Sequence, residues 1–337
     1  MADNIATKKK KKKKSKKPFV ILSVVFTALF IVFGYMTAKN LMTGKTVESP
    51  VPNVEPTTAK VNTAFSDETP DLIGELKVND GNAVYLKDML DFFKPLYASN
   101  PDTIGWLKIP NTSIDTVVVQ HKDDDGHIPR YQYLKNDFYG NFTRYGNIFL
   151  DYRCLQYQLS SNTIIYGHTT VGKEQAFYDL VKYEKPEFFK QNPVIEYDTL
   201  YNRYKWKVFG VFVTSVNAAD DNGYIFDYIS PSMGPMSKEG YLKQVDERVL
   251  YKTGVEVNGH DKILTLSTCS YNFTVRGTEI TSRLVVVARL LRDGESEDID
   301  ASLVKDNPNY RRPQRWYDLT GQKNPYANSE RWKASKY

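Results

Sequence analysis

The sequence predicts a mostly β fold, a closed or nearly closed barrel, held at a membrane by one N-terminal helix. Three observations carry that reading. Short segments rich in β-branched and aromatic residues recur from Trp106 onward, separated by Gly, Pro, Asn and Asp. Their tally, about eight, matches a sheet that closes on itself. Ahead of them, residues 18–38 (PFVILSVVFTALFIVFGYMTA) hold no charge, directly behind a lysine-rich tail.

The tail decides how the charge is read. The chain has 337 residues and a net charge of +5, but residues 1–17 hold nine Lys and one Asp, a charge of +8. The remaining 320 residues therefore carry −3. A lysine run can mark nucleic-acid binding; against an apolar segment it marks a membrane, and no nucleic-acid partner is expected. A helix of 21 residues reaches roughly 30 Å, the thickness of the bilayer core. The segment is long for a cleaved signal peptide and lacks an evident cleavage site. The lysine excess puts the N-terminus in the cytoplasm and residues 39–337 outside, as a single-pass cell-membrane protein.

Residues 39–66, with Pro50, Pro52 and Pro56, read as an extracellular extended spacer. The main folded domain is expected over 67–292. Its opening stretch, 67–100, looks helical, because Leu86, Met89, Leu90 and Phe93 recur at three- and four-residue steps before Asn100-Pro101-Asp102. Strands are expected at 106–109, 114–120, 147–150, 163–166, 194–197, 204–214, 262–268 and 283–291. Helices are expected to interrupt them at 174–190 and at 237–251. The second would open on Ser237 as N-cap and present Tyr241, Val245 and Val249 on one face. Residues 293–337 are polar, include Trp316 and Trp332, show little periodicity and have no assigned role.

Chemistry concentrates at the end of one strand. Ile263-Leu264-Thr265-Leu266-Ser267-Thr268-Cys269 ends in a cysteine, and after a loop of 13 residues a second strand begins at Arg283. If the two pair antiparallel, Cys269 and Arg283 are neighbours at one rim. Arg289 then lies roughly 20 Å away along the strand, while Arg276 in the loop remains a rival. A guanidinium favours the thiolate and offers donors to an oxyanion. A buried structural cysteine reads equally well at this point. Cys154 is the only other cysteine, and no Cys/His spacing resembles a zinc site; no metal or cofactor is expected. Among four scattered histidines, His168 follows the apolar strand Ile164-Ile165-Tyr166-Gly167, a rim position. His121, His127 and His260 sit in turn-like sequence, and periodicity favours His168 only slightly.

Together these residues resemble the sortases. Thr265-Leu266-Ser267-Thr268-Cys269 matches the TLxTC signature, in the TLSTC form typical of class B. Arg283 with its apolar strand, Tyr166-Gly167-His168, and Gly146-Asn147-Ile148-Phe149-Leu150-Asp151 are similar to further family segments, as are Gly105–Gln120 and Tyr133–Phe138. The resemblance covers roughly 85–291. It implies an eight-stranded sortase barrel with N-terminal helices and a helix between strands six and seven. It also implies a Gram-positive type of cysteine transpeptidase that anchors surface proteins. Cys269 would be the nucleophile, His168 the proton donor and Arg283 the oxyanion stabiliser, with Leu134, Ser267 and Thr268 contacting substrate. The partners implied are a C-terminal sorting signal, often of NPxTx type in class B, and an amine from a peptidoglycan precursor or a pilin. The sequence departs from the pattern in its long Cys–Arg loop and in Arg130, near where many class B chains carry Asn.

Two other readings compete: a membrane-anchored cysteine protease that only hydrolyses, and a non-enzymatic surface binding module. Papain-like proteases carry their cysteine at a helix start, whereas Cys269 ends a predicted strand. A fragment beginning near residue 66 is expected to fold and to react with a thiol reagent at Cys269. An insoluble or inert fragment would place the domain boundary elsewhere.

Overall fold

The computed structural model describes residues 77–79, 84–121, 132–169 and 176–334. The tail 1–17, the apolar segment 18–38, the spacer 39–66, His127 and Arg130 lie outside these residues. Among the described residues no helix is long and apolar enough to cross a membrane.

All eight expected barrel strands form. They are β3 (Thr103–Lys108), β4 (Asp115–Val119), β5 (Phe149–Leu150), β6 (Asn162–Tyr166), β7 (Val194–Thr199), β8 (Lys205–Ser215), β10 (Ile263–Ser270) and β11 (Ser282–Leu290). They close in the order β10-β11-β8-β7-β3-β4-β5-β6. Closure leaves no unpaired sheet edge within the barrel. Two short two-stranded sheets lie outside it: β1 (Lys77–Asn79) with β2 (Val84–Leu86), and β9 (Tyr251–Lys252) with β12 (Lys305–Asp306).

The apolar strands β8, β10 and β11 are buried on both faces, which explains their near-continuous hydrophobic runs. Leu264, Leu266, Leu284 and Val286 face the barrel core. Ile263, Val285 and Val287 face a second core with Phe212, Tyr241 and Val245. That outer layer comes from α3 (Pro235–Arg248), which falls between barrel strands six and seven as expected. A Cβ on Gly210 of β8 would lie only 3.0 Å from Val249 and 3.2 Å from Val245, so glycine here sets how closely the helix approaches the sheet.

Three helical expectations need correction. The stretch 67–100 is not one helix within its described residues. It supplies the β1–β2 hairpin, a left-handed turn at Asp88, a 3-10 turn at Asp91–Phe93 and α1 (Lys94–Ser99). Leu90 is extended and its N–H donates to Leu200 O at 2.8 Å, so docking on the barrel prevails over local periodicity. Leu86, Met89 and Phe93 are still buried, in a satellite core. The region 174–190 divides into a 3-10 segment, Tyr178–Glu184, and α2 (Pro186–Gln191). Lys185, before the proline, is extended and separates them. Finally α3 starts at Pro235 with Gly234 as N-cap, not at Ser237; proline is favoured in the first turn, where no N–H is needed.

The C-terminal extension is part of the fold. Arg289 makes a forked pair with Glu295 at 2.7 and 2.6 Å, and Lys207 adds a contact at 2.9 Å. Farther on, α4 (Gln314–Thr320) packs on the turn Ala218–Asp221, where Arg315 reaches the buried Asp220 at 2.9 Å. Trp332 closes over Gly240 of α3 and donates to Ser237 O at 3.0 Å. Little of this shows as periodicity, because the segment docks through single anchors rather than one continuous face.

Trp332→Ala is expected to cost about 3 kcal/mol, as large-to-small changes at buried aromatics do, read as a lower denaturation midpoint. Glu295 titrates near 2 instead of the ordinary 4.5, chiefly because Arg289 hydrogen-bonds its carboxylate. A depressed folded-state value stabilises above the unfolded value and is lost as pH falls. The contribution is therefore complete above about pH 4.5 and fades toward pH 2. Glu295→Gln is expected to flatten the stability profile in that window; an unchanged slope would refute the assignment.

Candidate active site

Backbone register builds the site. In the β10–β11 ladder Cys269 is paired directly with Arg283. Paired residues point to the same face with Cβ atoms about 5 Å apart, so thiol and guanidinium share one side of the sheet. On its other flank β10 runs parallel to β6, with Ser267 paired to Tyr166. The chain then leaves the ladder, and Gly167 N donates to Ser267 O at 3.4 Å. His168 follows at the level of Cys269. Three residues distant in sequence thus meet at one rim, all half-buried.

Around them lies a groove of about 520 Å³. Its lining includes each residue to which the family resemblance gave a role: Leu134, His168, Ser267, Thr268, Cys269 and Arg283. Arg289 lies at the far end of β11, opposite Ile263, and is consumed by Glu295. Arg276 takes a left-handed conformation in the turn Val275–Thr278 and does not line the groove. His121 bonds Asp102 at 2.7 Å, and His260 sits in a turn capped by Asn258. Both cysteines are free thiols. Cys154 is buried, accepts from Ile164 N at 3.4 Å, and burial pushes its thiol up to about 12. That holds it protonated and inert at neutral pH.

The histidine is oriented by backbone. Its Nε2 lies 2.9 Å from Leu134 O. A carbonyl only accepts, so Nε2 carries the proton and Nδ1 remains the ring nitrogen able to exchange one. The loop carrying Leu134 is folded tightly, with Asn147 N donating to Tyr133 O at 2.9 Å. Thr268 points to the face opposite Cys269 and donates to Gly167 O at 2.8 Å, with Thr169 beside it. Its hydroxyl is committed to holding the His168 segment against β10. Ser267 shares the Cys269 face and bonds the Tyr228 hydroxyl at 2.9 Å. Arg283 spends one nitrogen on Ser282 O at 3.0 Å, leaving most of its fork uncommitted among the described residues.

Sequence reasoning did not single out the walls. Tyr228 and Ile229 come from an irregular segment before α3 with no periodic signal. Asp151 and Tyr166 lie within segments whose family likeness was noted, but nothing in the sequence joins them. In space the Tyr166 hydroxyl donates to Asp151 at 2.7 Å.

The arrangement can perform acyl transfer: a nucleophilic sulfur, a proton-exchanging imidazole and a fixed cation flank a cleft sized for an extended peptide. Known proteins agree. The sequence model of the Sortase domain family matches residues 107–291. The chain is 34% identical to sortase B of Listeria monocytogenes over 202 residues, covering 57% of this chain and 76% of that protein. It is 32% identical to sortase B of Staphylococcus aureus over 200 residues, covering 59% and 75%. A Staphylococcus aureus sortase B–substrate complex superposes with a TM-score of 0.51 at 31% identity, over 62% of this chain and 88% of that one.

Gly167→Ala tests the positioning. A Cβ there would fall 2.7 Å from the Phe177 ring, and Phe177 N holds His168 O at 2.9 Å. The variant is expected to lose most turnover by displacing His168 while remaining folded. Wild-type turnover in a folded Gly167→Ala protein would show that the histidine is not held from this point.

Proposed function

Because this chain belongs to the sortase family and is a cysteine transpeptidase of the sortase B type, we propose that Cys269, His168 and Arg283 carry its reaction on a surface-protein sorting signal. The single observation behind this is the register that pairs Cys269 with Arg283 while β6 delivers His168 to the same rim.

The Cys269 thiolate attacks a backbone carbonyl of the signal, and the Arg283 donors receive the charge that develops on its oxygen. Collapse of the tetrahedral intermediate breaks the peptide bond. The leaving amine takes a proton from His168, and a thioacyl enzyme remains. An incoming amine then attacks the thioester, gives up its proton to His168 and releases the sulfur. Leu134 O keeps the imidazole in the tautomer these transfers need. Ser267 and Leu134 contact the peptide, and Thr268 acts beside them by fixing the histidine strand.

The amine belongs to a peptidoglycan precursor or to a pilin lysine, so the product is a wall-anchored protein or a pilus. Residues 18–38 span the cell membrane with the lysine tail in the cytoplasm, and residues 39–66 carry the catalytic domain outside it. That position lets the groove meet signals emerging from secretion.

Cys269→Ala is expected to abolish turnover. Mass spectrometry of the wild type mixed with a panel of candidate signal peptides is expected to show a thioacyl adduct on Cys269. Arg283→Ala should reduce kcat at least about a hundredfold, in line with loss of an oxyanion donor, whereas Arg276→Ala and folded Arg289→Ala should stay near wild type. Comparable small losses in all three arginine variants would refute the role given to Arg283.

A further inference from the structure

One further guanidinium lines the groove. Arg153 follows β5, and it is built in rather than loosely exposed. Its Nε and Nη2 form a fork with Asp151, both at 2.9 Å, and its backbone N–H bonds the same carboxylate at 2.9 Å. Asp151 is only 3% exposed and also receives the Tyr166 hydroxyl at 2.7 Å. Nη2 makes a second bond, to Ile229 O at 2.8 Å. One side chain therefore ties the end of β5, the floor residue Tyr166 and the Ile229 wall together. Asn162 and Ser161 pin the same wall through Tyr228 O, Ser230 O and Met233 O.

What remains is Nη1, which makes no hydrogen bond among the described residues, on a side chain 34% exposed. Tyr166 precedes His168 by two residues, so this network sits roughly 7 Å back along β6 from the reacting rim. It does not serve the scissile carbonyl. Its charge also differs from that of Arg283. Asp151 cancels it, and a second carboxyl, Asp227, lies within electrostatic reach of both. Burial raises the Asp227 carboxyl above the ordinary range, with the Arg153 charge opposing the shift and the Asp151 charge adding to it. A donor fork with no net positive field suits a neutral oxygen and disfavours an anion.

We propose that Arg153 is a specificity-determining residue: it fixes the Ile229 wall and donates from Nη1 to a neutral carbonyl oxygen of the bound sorting peptide, away from the scissile bond. The inference rests on the transpeptidase groove assigned above and deepens it by setting the charge the peptide must present there.

The test uses a neutral NPxTx-type peptide and versions carrying one Asp or Glu at successive positions ahead of the scissile bond. In Arg153→Gln, KM for the neutral peptide should rise about tenfold, the usual effect of losing a charge-assisted hydrogen bond, with kcat changing much less. Arg153→Lys keeps the charge but not the fork and should rise partway. Asp151→Asn leaves the guanidinium uncancelled, so at least one acidic peptide should gain about tenfold in kcat/KM relative to the neutral one. Thermal melting checks that each variant is folded. An unchanged KM in folded Arg153→Gln, or an acidic-to-neutral ratio that Asp151→Asn does not move, overturns the proposal and leaves the residue a structural latch. Thioacyl formation on wild-type Cys269 separates the two levels. If it is absent, the transpeptidase site assignment fails and this inference falls with it; if it is present, the variant comparison decides this inference alone.

Discussion

Everything at the rim depends on the backbone register of β10 between two neighbours. Its antiparallel bond ladder to β11 places Cys269 opposite Arg283, and its parallel ladder to β6 brings His168 alongside. Side chains alternate with a period of two, so a slip of one residue would turn the thiol into the barrel core and expose Thr268 in its place. The register is protected because both faces of β10 are buried. Leu264 and Leu266 fit only the barrel interior, and Ile263 fits only under α3. Core packing and catalytic geometry are thus the same constraint on one strand.

The rest of the groove follows from how irregular segments are tied to that strand. His168 is held by three kinds of contact: the Leu134 carbonyl on its ring, Phe177 against Gly167, and the Thr268 hydroxyl on the Gly167 carbonyl. The opposite wall is a loop, and loops carry backbone groups that must find partners when they pack. Asn162, Ser161 and Arg153 supply them. Precision at the site comes from hydrogen bonds made to loop carbonyls by side chains on or beside the barrel strands.

The C-terminal extension extends this logic outward. Glu295 lies against Arg289 and Lys207, Arg315 against Asp220, and Trp332 against α3. Buried arginine and lysine side chains at the barrel end would be costly without a carboxylate partner, and the extension provides one. Residues past the last barrel strand therefore complete the charge pairing of the strands themselves.

By itself the sequence determined the eight strands, the likeness that joins Cys269, His168 and Arg283, and the choice of Arg283 over Arg289, because strand alternation and rise are local geometry. The expected helix over 67–100 shows where local signals stop: Leu86, Met89 and Phe93 do bury, but Leu90 bonds to Leu200, a partner far along the chain. Only the tertiary structure put Arg283 in the groove lining and Arg276 outside it, set the histidine tautomer through Leu134, and joined Asp151, Arg153, Tyr166 and Ile229 into one wall. Those are contacts between segments with no shared periodicity, and their energy exists only once closure of the barrel has brought the segments together.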